Sequence, residues 1–190
     1  LSSNRQNMFL STLNKCDLAS KDSIMQSIKY FKEINSWDVI VVASGTQNPI
    51  KKFIECDFDQ WEESFMINLF SPLRFLQGLL KQQNDSNETK IILFSGGGVN
   101  GTVENYSAYT TAKISLIKVC ELLADEIKNI SISILGPGWV NTKIHKETTN
   151  AGSDAGNNLK KTEKVKISGK LENREALTLI TSENNLVGGE

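Results

Sequence analysis

Apolar residues fall along this chain in two alternating rhythms. Ile24, Ile28 and Phe31 recur at i, i+4 and i+7 behind Ser20, a residue type that caps helix starts, so a helix is predicted from there to about Ile34. Val39 to Val42 is a short unbroken apolar run, the mark of a buried parallel strand. Phe58 to Gln83 reads as one long helix with Pro72 inside it, where proline kinks the helix or marks a local break. The polar run from Asn84 to Glu88 is a surface loop, and Lys90 to Phe94 is the next strand. A helix through Tyr109 continues to about Ile127, with Leu116, Cys120, Leu123 and Ile127 as its apolar stripe. Ile130, Ile132 and Ile134 give a further strand, whose alternation with serine is more polar than a central strand usually shows. Residues 148–158 are polar and read as a mobile lid or as disorder, and a weak helix is expected from Arg174 to Thr181.

This alternation of helix and strand predicts an α/β fold, a doubly wound, Rossmann-type parallel sheet with helices on both faces. At 190 residues the chain is most simply one domain, with residues 143–172 set apart as a substrate lid. Net charge is −1, so nothing points to nucleic acid or another polyanion as partner. No apolar run approaches a membrane span, and no membrane partner is expected. Cys16, Cys56 and Cys120 are scattered and odd in number, which reads as free thiols in a reducing compartment, the cytoplasm. With one histidine, His145, and no paired cysteines, metal ligation is not expected.

The candidate chemistry lies in Asn105-Tyr106-Ser107-Ala108-Tyr109-Thr110-Thr111-Ala112-Lys113. On a helix, Tyr109 and Lys113 share one face, one turn apart. A nearby ammonium favours phenolate, so Lys113 is expected to lower the Tyr109 pKa and make a proton-transfer device. Tyr-x-x-x-Lys arises often by chance, and its neighbours decide.

Those neighbours resemble the short-chain dehydrogenase/reductase family, in its shorter rather than its extended type. The strand Ile91-Ile92-Leu93-Phe94 ends in Ser95 and Gly96-Gly97-Gly98, ahead of the Tyr/Lys helix. Leu135-Gly136-Pro137-Gly138-Trp139-Val140-Asn141-Thr142 looks like the family's Pro-Gly turn, and Trp61 to Leu69 like the helix that carries its asparagine, here Asn68. Asp38 to Gly45 stands where the fourth strand and its Asn-Asn-Ala-Gly turn belong, although both asparagines are gone. Cys16-Asp17-Leu18 looks like the adenine contact after the third strand. No glycine-rich phosphate turn precedes Asp17, so the chain is read as an internal piece of a longer reductase, incomplete at both ends.

The resemblance implies an NAD(P)-dependent oxidoreductase that interconverts a secondary alcohol and a ketone. Tyr109 would be the acid/base, and Lys113 would hold the nicotinamide ribose. Asn68 would hold a water that links the lysine to solvent, although an amide bonded to a neighbouring backbone is the plain alternative. The family's serine, which stabilises the substrate carbonyl, stands thirteen before the tyrosine. Here that position is Gly96, so Ser95 fills the role only if the glycine run shifts it by one residue. The cofactor contacts implied are Asp17 and Leu18 on the adenine, Ala43 and Gly45 near the ribose, Pro137 and Gly138 in the turn, and Val140 and Thr142 on the carboxamide. Asp17 reads equally as a helix-capping aspartate, and Ser44 is a candidate to replace the missing asparagines in bracing the sheet. No acid stands near Arg5, which could pair with a 2′-phosphate, so NADP(H) is favoured over NAD(H). His145 is expected on the surface. Partners by resemblance are a small carbonyl or alcohol substrate and further copies in a homodimer or homotetramer, built on the Phe58–Gln83 and Tyr109–Ile127 helices. Two other readings stay open: a nucleotide-sugar epimerase or dehydratase of the extended type, and a non-catalytic binding protein. The Pro-Gly turn argues against the first, and intact Tyr109, Lys113 and Asn68 against the second.

Overall fold

A computed structural model describes residues 14–33, 36–84, 88–96, 98–137, 144–168 and 178–181. The expected helix behind Ser20 forms as α1, Lys21–Lys32, and the Ser20 side chain accepts from Ser23 N. Its stripe is buried as the spacing requires: Ile24 and Ile28 lie in the core, and Phe31 packs edge-on to Phe75.

Three strands, β1 (Val39–Val42), β2 (Thr89–Phe94) and β3 (Ile130–Gly136), pair in parallel in that order. Ile40 lies opposite Ile91, and Ile91 opposite Ile132, so one face of the sheet is an isoleucine ladder. Helix α3 (Ser71–Leu79) brings Leu76 and Leu79 to it, and α4 (Ser107–Glu126) brings Ala112, Leu116 and Cys120. Each isoleucine or leucine so taken from water contributes roughly 1.5–3 kcal/mol. The serines of β3 fall on the alternate face, which explains its polar alternation.

Two expectations change here. Val39 and Val41 are 52% and 56% exposed, so β1 is buried on one side only. It is the last strand of the described sheet, and among the described residues no helix covers its second face. The predicted helix to Thr181 gives way to a strand, β4 (Thr178–Thr181), antiparallel to β3 with Ile180 opposite Ile134. β-Branched Thr178, Ile180 and Thr181 favour strand, and β3 offers an unpaired edge to receive it. Positions 174–177 lie outside the described residues.

The long helix around Pro72 is broken as its proline predicts. α2 (Phe58–Phe65) runs into a wider turn, Met66–Phe70, before α3 begins. Pro72 has no N–H for the Asn68 carbonyl, and Ser71 N instead reaches back five residues to Met66 O.

The stretch expected as a lid or as disorder is helical: α5 (His145–Ala151), a short 3-10 turn (Gly152–Ala155) and α6 (Asn157–Ser168). Buried Ala155, with Ala151 and Leu159 around it, packs with Ile50, Tyr106 and Tyr109 in a second cluster. That contact orders a segment whose own sequence shows no apolar face.

Candidate active site

Parallel sheets leave a crevice at the carboxyl ends of their strands. Here it is a cavity of about 740 Å³, walled by residues 43–45 after β1, by Ser95 and Gly96 after β2 and by Pro137 after β3. Leu18 and the start of α6 close its sides, and Tyr109 and Lys113 of α4 line it. The i, i+4 spacing works as read: both are buried, with Lys113 Nζ 6.0 Å from the Tyr109 ring centre.

Lys113 Nζ donates to Phe94 O at 3.1 Å and Ser44 O at 3.3 Å, which ties α4 to the ends of β2 and β1. An ammonium carries three donors, so one N–H remains for a ligand. Burial pushes the Lys113 pKa down to about 8. Tyr109 moves the other way. Burial, and then the negative charge of Glu147, raise its pKa to about 12. The expected lowering of the tyrosine by the lysine is therefore corrected. Loss of water around the phenol sets the direction, and the charge of Glu147 adds to it.

Gly96 lies against the tyrosine. A β-carbon there would fall 2.2 Å from the Tyr109 hydroxyl oxygen, so no side chain fits while the phenol stays in place. Ser95 lines the cavity, but its hydroxyl donates to Leu135 O at 3.2 Å, and its backbone N–H binds the same carbonyl. It would reach a substrate oxygen only by giving up β3.

Asn68 is fully buried in the wide turn before Pro72. Its Oδ1 accepts from Thr46 N at 3.1 Å, and its Nδ2 donates to Thr46 O at 2.8 Å and Ser64 O at 2.9 Å. The amide thus replaces the missing asparagines in bracing the loop after β1. Ser44, the expected replacement, does not: its hydroxyl is buried with no hydrogen-bond partner among the described residues. Gly45 belongs to the same brace, because a β-carbon there would stand 3.0 Å from Asn68 Oδ1.

The other expected contacts divide. Leu18, Ala43, Gly45 and Pro137 line the cavity. Asp17 is exposed and closes a turn ahead of α1, with its carboxylate accepting from Ala19 N; the helix is capped by Ser20, so Asp17 is not the capping residue that the alternative reading made it. Arg5, Gly138, Val140 and Thr142 lie outside the described residues.

The polar pattern of 148–158 hid a second set of residues. Fully buried Thr148 bonds the Tyr106 hydroxyl at 3.0 Å and donates to Gln47 Oε1 at 2.6 Å. Glu147 Oε2 accepts from Thr46 Oγ1 at 3.0 Å and from Gln47 N. α5 is thereby fastened across the cavity to the loop after β1 and to α4. His145, expected on the surface, is half-buried in the same wall.

A family model described as short chain dehydrogenase matches residues 3–152. The chain belongs to the short chain dehydrogenase family. An uncharacterized oxidoreductase of Schizosaccharomyces pombe is 26% identical over 175 residues, which are 87% of this chain and 68% of that relative. The chain spans only 42% to 49% of the length of three further curated relatives. Among solved structures, a short chain dehydrogenase/reductase of Saccharomyces cerevisiae superposes with a TM-score of 0.69 at 21% identity, covering 80% of this chain and 61% of that one. A small-chain dehydrogenase in complex with NADPH gives 0.62 at 20% identity, covering 69% and 57%. The fold is thus three parallel strands with one antiparallel strand, flanked by helices, with the cavity at the carboxyl ends of the parallel strands. No helix among the described residues is long and apolar enough to cross a membrane.

Proposed function

We propose that the protein is an NAD(P)-dependent oxidoreductase that interconverts a secondary alcohol and a ketone, with Tyr109 as the group that exchanges a proton with the substrate oxygen. The observation that carries this reading is the burial of Tyr109 and Lys113 together at the crevice wall, one helical turn apart. A phenol raised to about 12 is fully protonated at neutral pH, so the resting site is poised to donate, which is the direction of ketone reduction.

The walls fit the nicotinamide-ribose end of a dinucleotide. Lys113 keeps an N–H for a ribose hydroxyl, and Gly45 offers backbone without a side chain. The cofactor supplies or accepts the hydride. Structural neighbours bound to NADPH and to NAD support a nicotinamide dinucleotide, and Arg5, with no acid near it in the sequence, favours NADPH. Asn68 acts by fixing Thr46, and through it the loop that receives the Lys113 bond at Ser44. Residues 144–168 are the substrate lid, held shut by Glu147 and Thr148.

The protein works as a dimer or tetramer. Phe53, Phe58 and Phe70 are each about half exposed or more beside Trp61 and Phe65, and Ile114 and Leu122 of α4 are 45% and 51% exposed. Exposed apolar side chains gathered on the helices that the resemblance makes the interface support this reading. Sedimentation as a monomer at micromolar concentration would refute it. The three free cysteines fit a reducing compartment such as the cytoplasm.

Titration with NADPH and with NADH, followed by nicotinamide fluorescence, tests the functional reading. Binding of NADPH, tighter than NADH, is expected. Binding of neither by the full-length protein would overturn the NAD(P)-dependent reading.

A further inference from the structure

A second cavity, of about 580 Å³, adjoins the first on the other side of the loop after β1. Ile67 and Glu147 line both, so they form a wall that the two spaces share. Glu147 is half-buried there, and its carboxylate is oriented: Oε2 holds Thr46 Oγ1 and Gln47 N, while Oε1 carries no hydrogen bond among the described residues. The ion pairs among the described residues, Lys52–Glu55 and Lys118–Glu121, do not involve it. Lys113 faces the same cavity, but its ammonium sits on the Ser44 and Phe94 carbonyls, and Lys161 and His145 complete the titratable wall. A carboxylate oxygen at a cavity wall with no donor on it is an acceptor that a cationic donor matches well. The far wall of the second cavity adds Glu63 and Asp154 against a single Lys51. Beside the tyrosine the first cavity is walled by Ile67, Phe94, Val103 and Ile144, which suit an apolar body.

Resting on the oxidoreductase reading, we propose that Glu147 selects the substrate, and that the substrate is a secondary alcohol or ketone carrying a protonated amine beside the reacting carbon. Its oxygen faces Tyr109, and its ammonium meets Glu147 Oε1 at the shared wall of the cavities. A salt-bridged hydrogen bond from ammonium to carboxylate is among the stronger polar contacts, so it discriminates well against an uncharged analogue.

The test is calorimetric titration of the protein at neutral pH with 2-amino-1-phenylethanol and with 1-phenylethane-1,2-diol, which has a hydroxyl in place of the amine. The amine is expected to bind about tenfold tighter or more. Glu147→Gln keeps an acceptor oxygen and removes the charge, and it should erase the preference. Equal affinities, no measurable binding of the amine, or a preference that survives in the variant overturns the proposal. Hydride transfer is read separately. Amine-selective binding without turnover would sink the oxidoreductase reading and leave the cation site standing. Turnover of uncharged ketones with no amine preference would do the reverse.

Discussion

The phenol of Tyr109 occupies the space that a side chain at residue 96 would need. A β-carbon built on Gly96 lies 2.2 Å from the hydroxyl oxygen and 2.5 Å from Cζ. Gly96 is thus a fitted partner of the tyrosine. With the phenol seated there, the backbone of residue 96 is its wall.

Gly96→Ala should therefore displace the tyrosine or strain the turn, at about 1–3 kcal/mol for forced overpacking. Gly101→Ala is the control, since nothing lies within 4 Å of a β-carbon there. Urea unfolding of the two variants checks this. Equal midpoints would mean that the phenol does not rest on Gly96.

Asn68→Leu removes a buried amide and leaves both polar groups of Thr46 without it. Orphaned buried groups cost about 1–3 kcal/mol each, so a loss of several kcal/mol is expected. Slow hydrogen exchange at the Thr46 amide should vanish in the variant. Retention of both stability and protection would show that the brace is unnecessary.

The buried ammonium of Lys113 has a pH signature. Its folded pKa of about 8 lies below the ordinary 10.5. Between these values the unfolded chain binds more protons than the folded one, so this residue makes stability rise with pH across that window. Below it the full cost of burying the charge is present, and above it the cost is gone. Lys113→Met should be at its most favourable, relative to the unmodified protein, at the low end. That advantage should shrink as pH climbs, with other titrations cancelling in the comparison. An advantage that grows with pH would contradict the assignment.

Much of this was legible in the chain. The Tyr109/Lys113 spacing, the Ser20 cap, the apolar stripe of α1 and the break at Pro72 are local signals, and local physics governs them. What sequence left hidden depends on partners far away in the chain. Thr148 is buried because Tyr106 and Gln47 take its hydroxyl, and nothing in a run of polar residues announces that. Glu147 is likewise held by Thr46 and Gln47, a hundred residues earlier. The direction of the Tyr109 pKa was misread for the same reason. Spacing reveals the lysine, but burial and Glu147 come from the fold. Val39 and Val41 look like core, and only the sheet order places them on an open face.

The account turns on Tyr109, and Tyr109→Phe tests it most directly, because it deletes one oxygen and leaves the packing against Gly96 and the α5–α6 cluster. NADPH oxidation with a ketone substrate should fall by about 10²–10⁴, while NADPH affinity and the unfolding midpoint stay unchanged. A variant that turns over within a few-fold of the unmodified protein would show that proton transfer happens elsewhere.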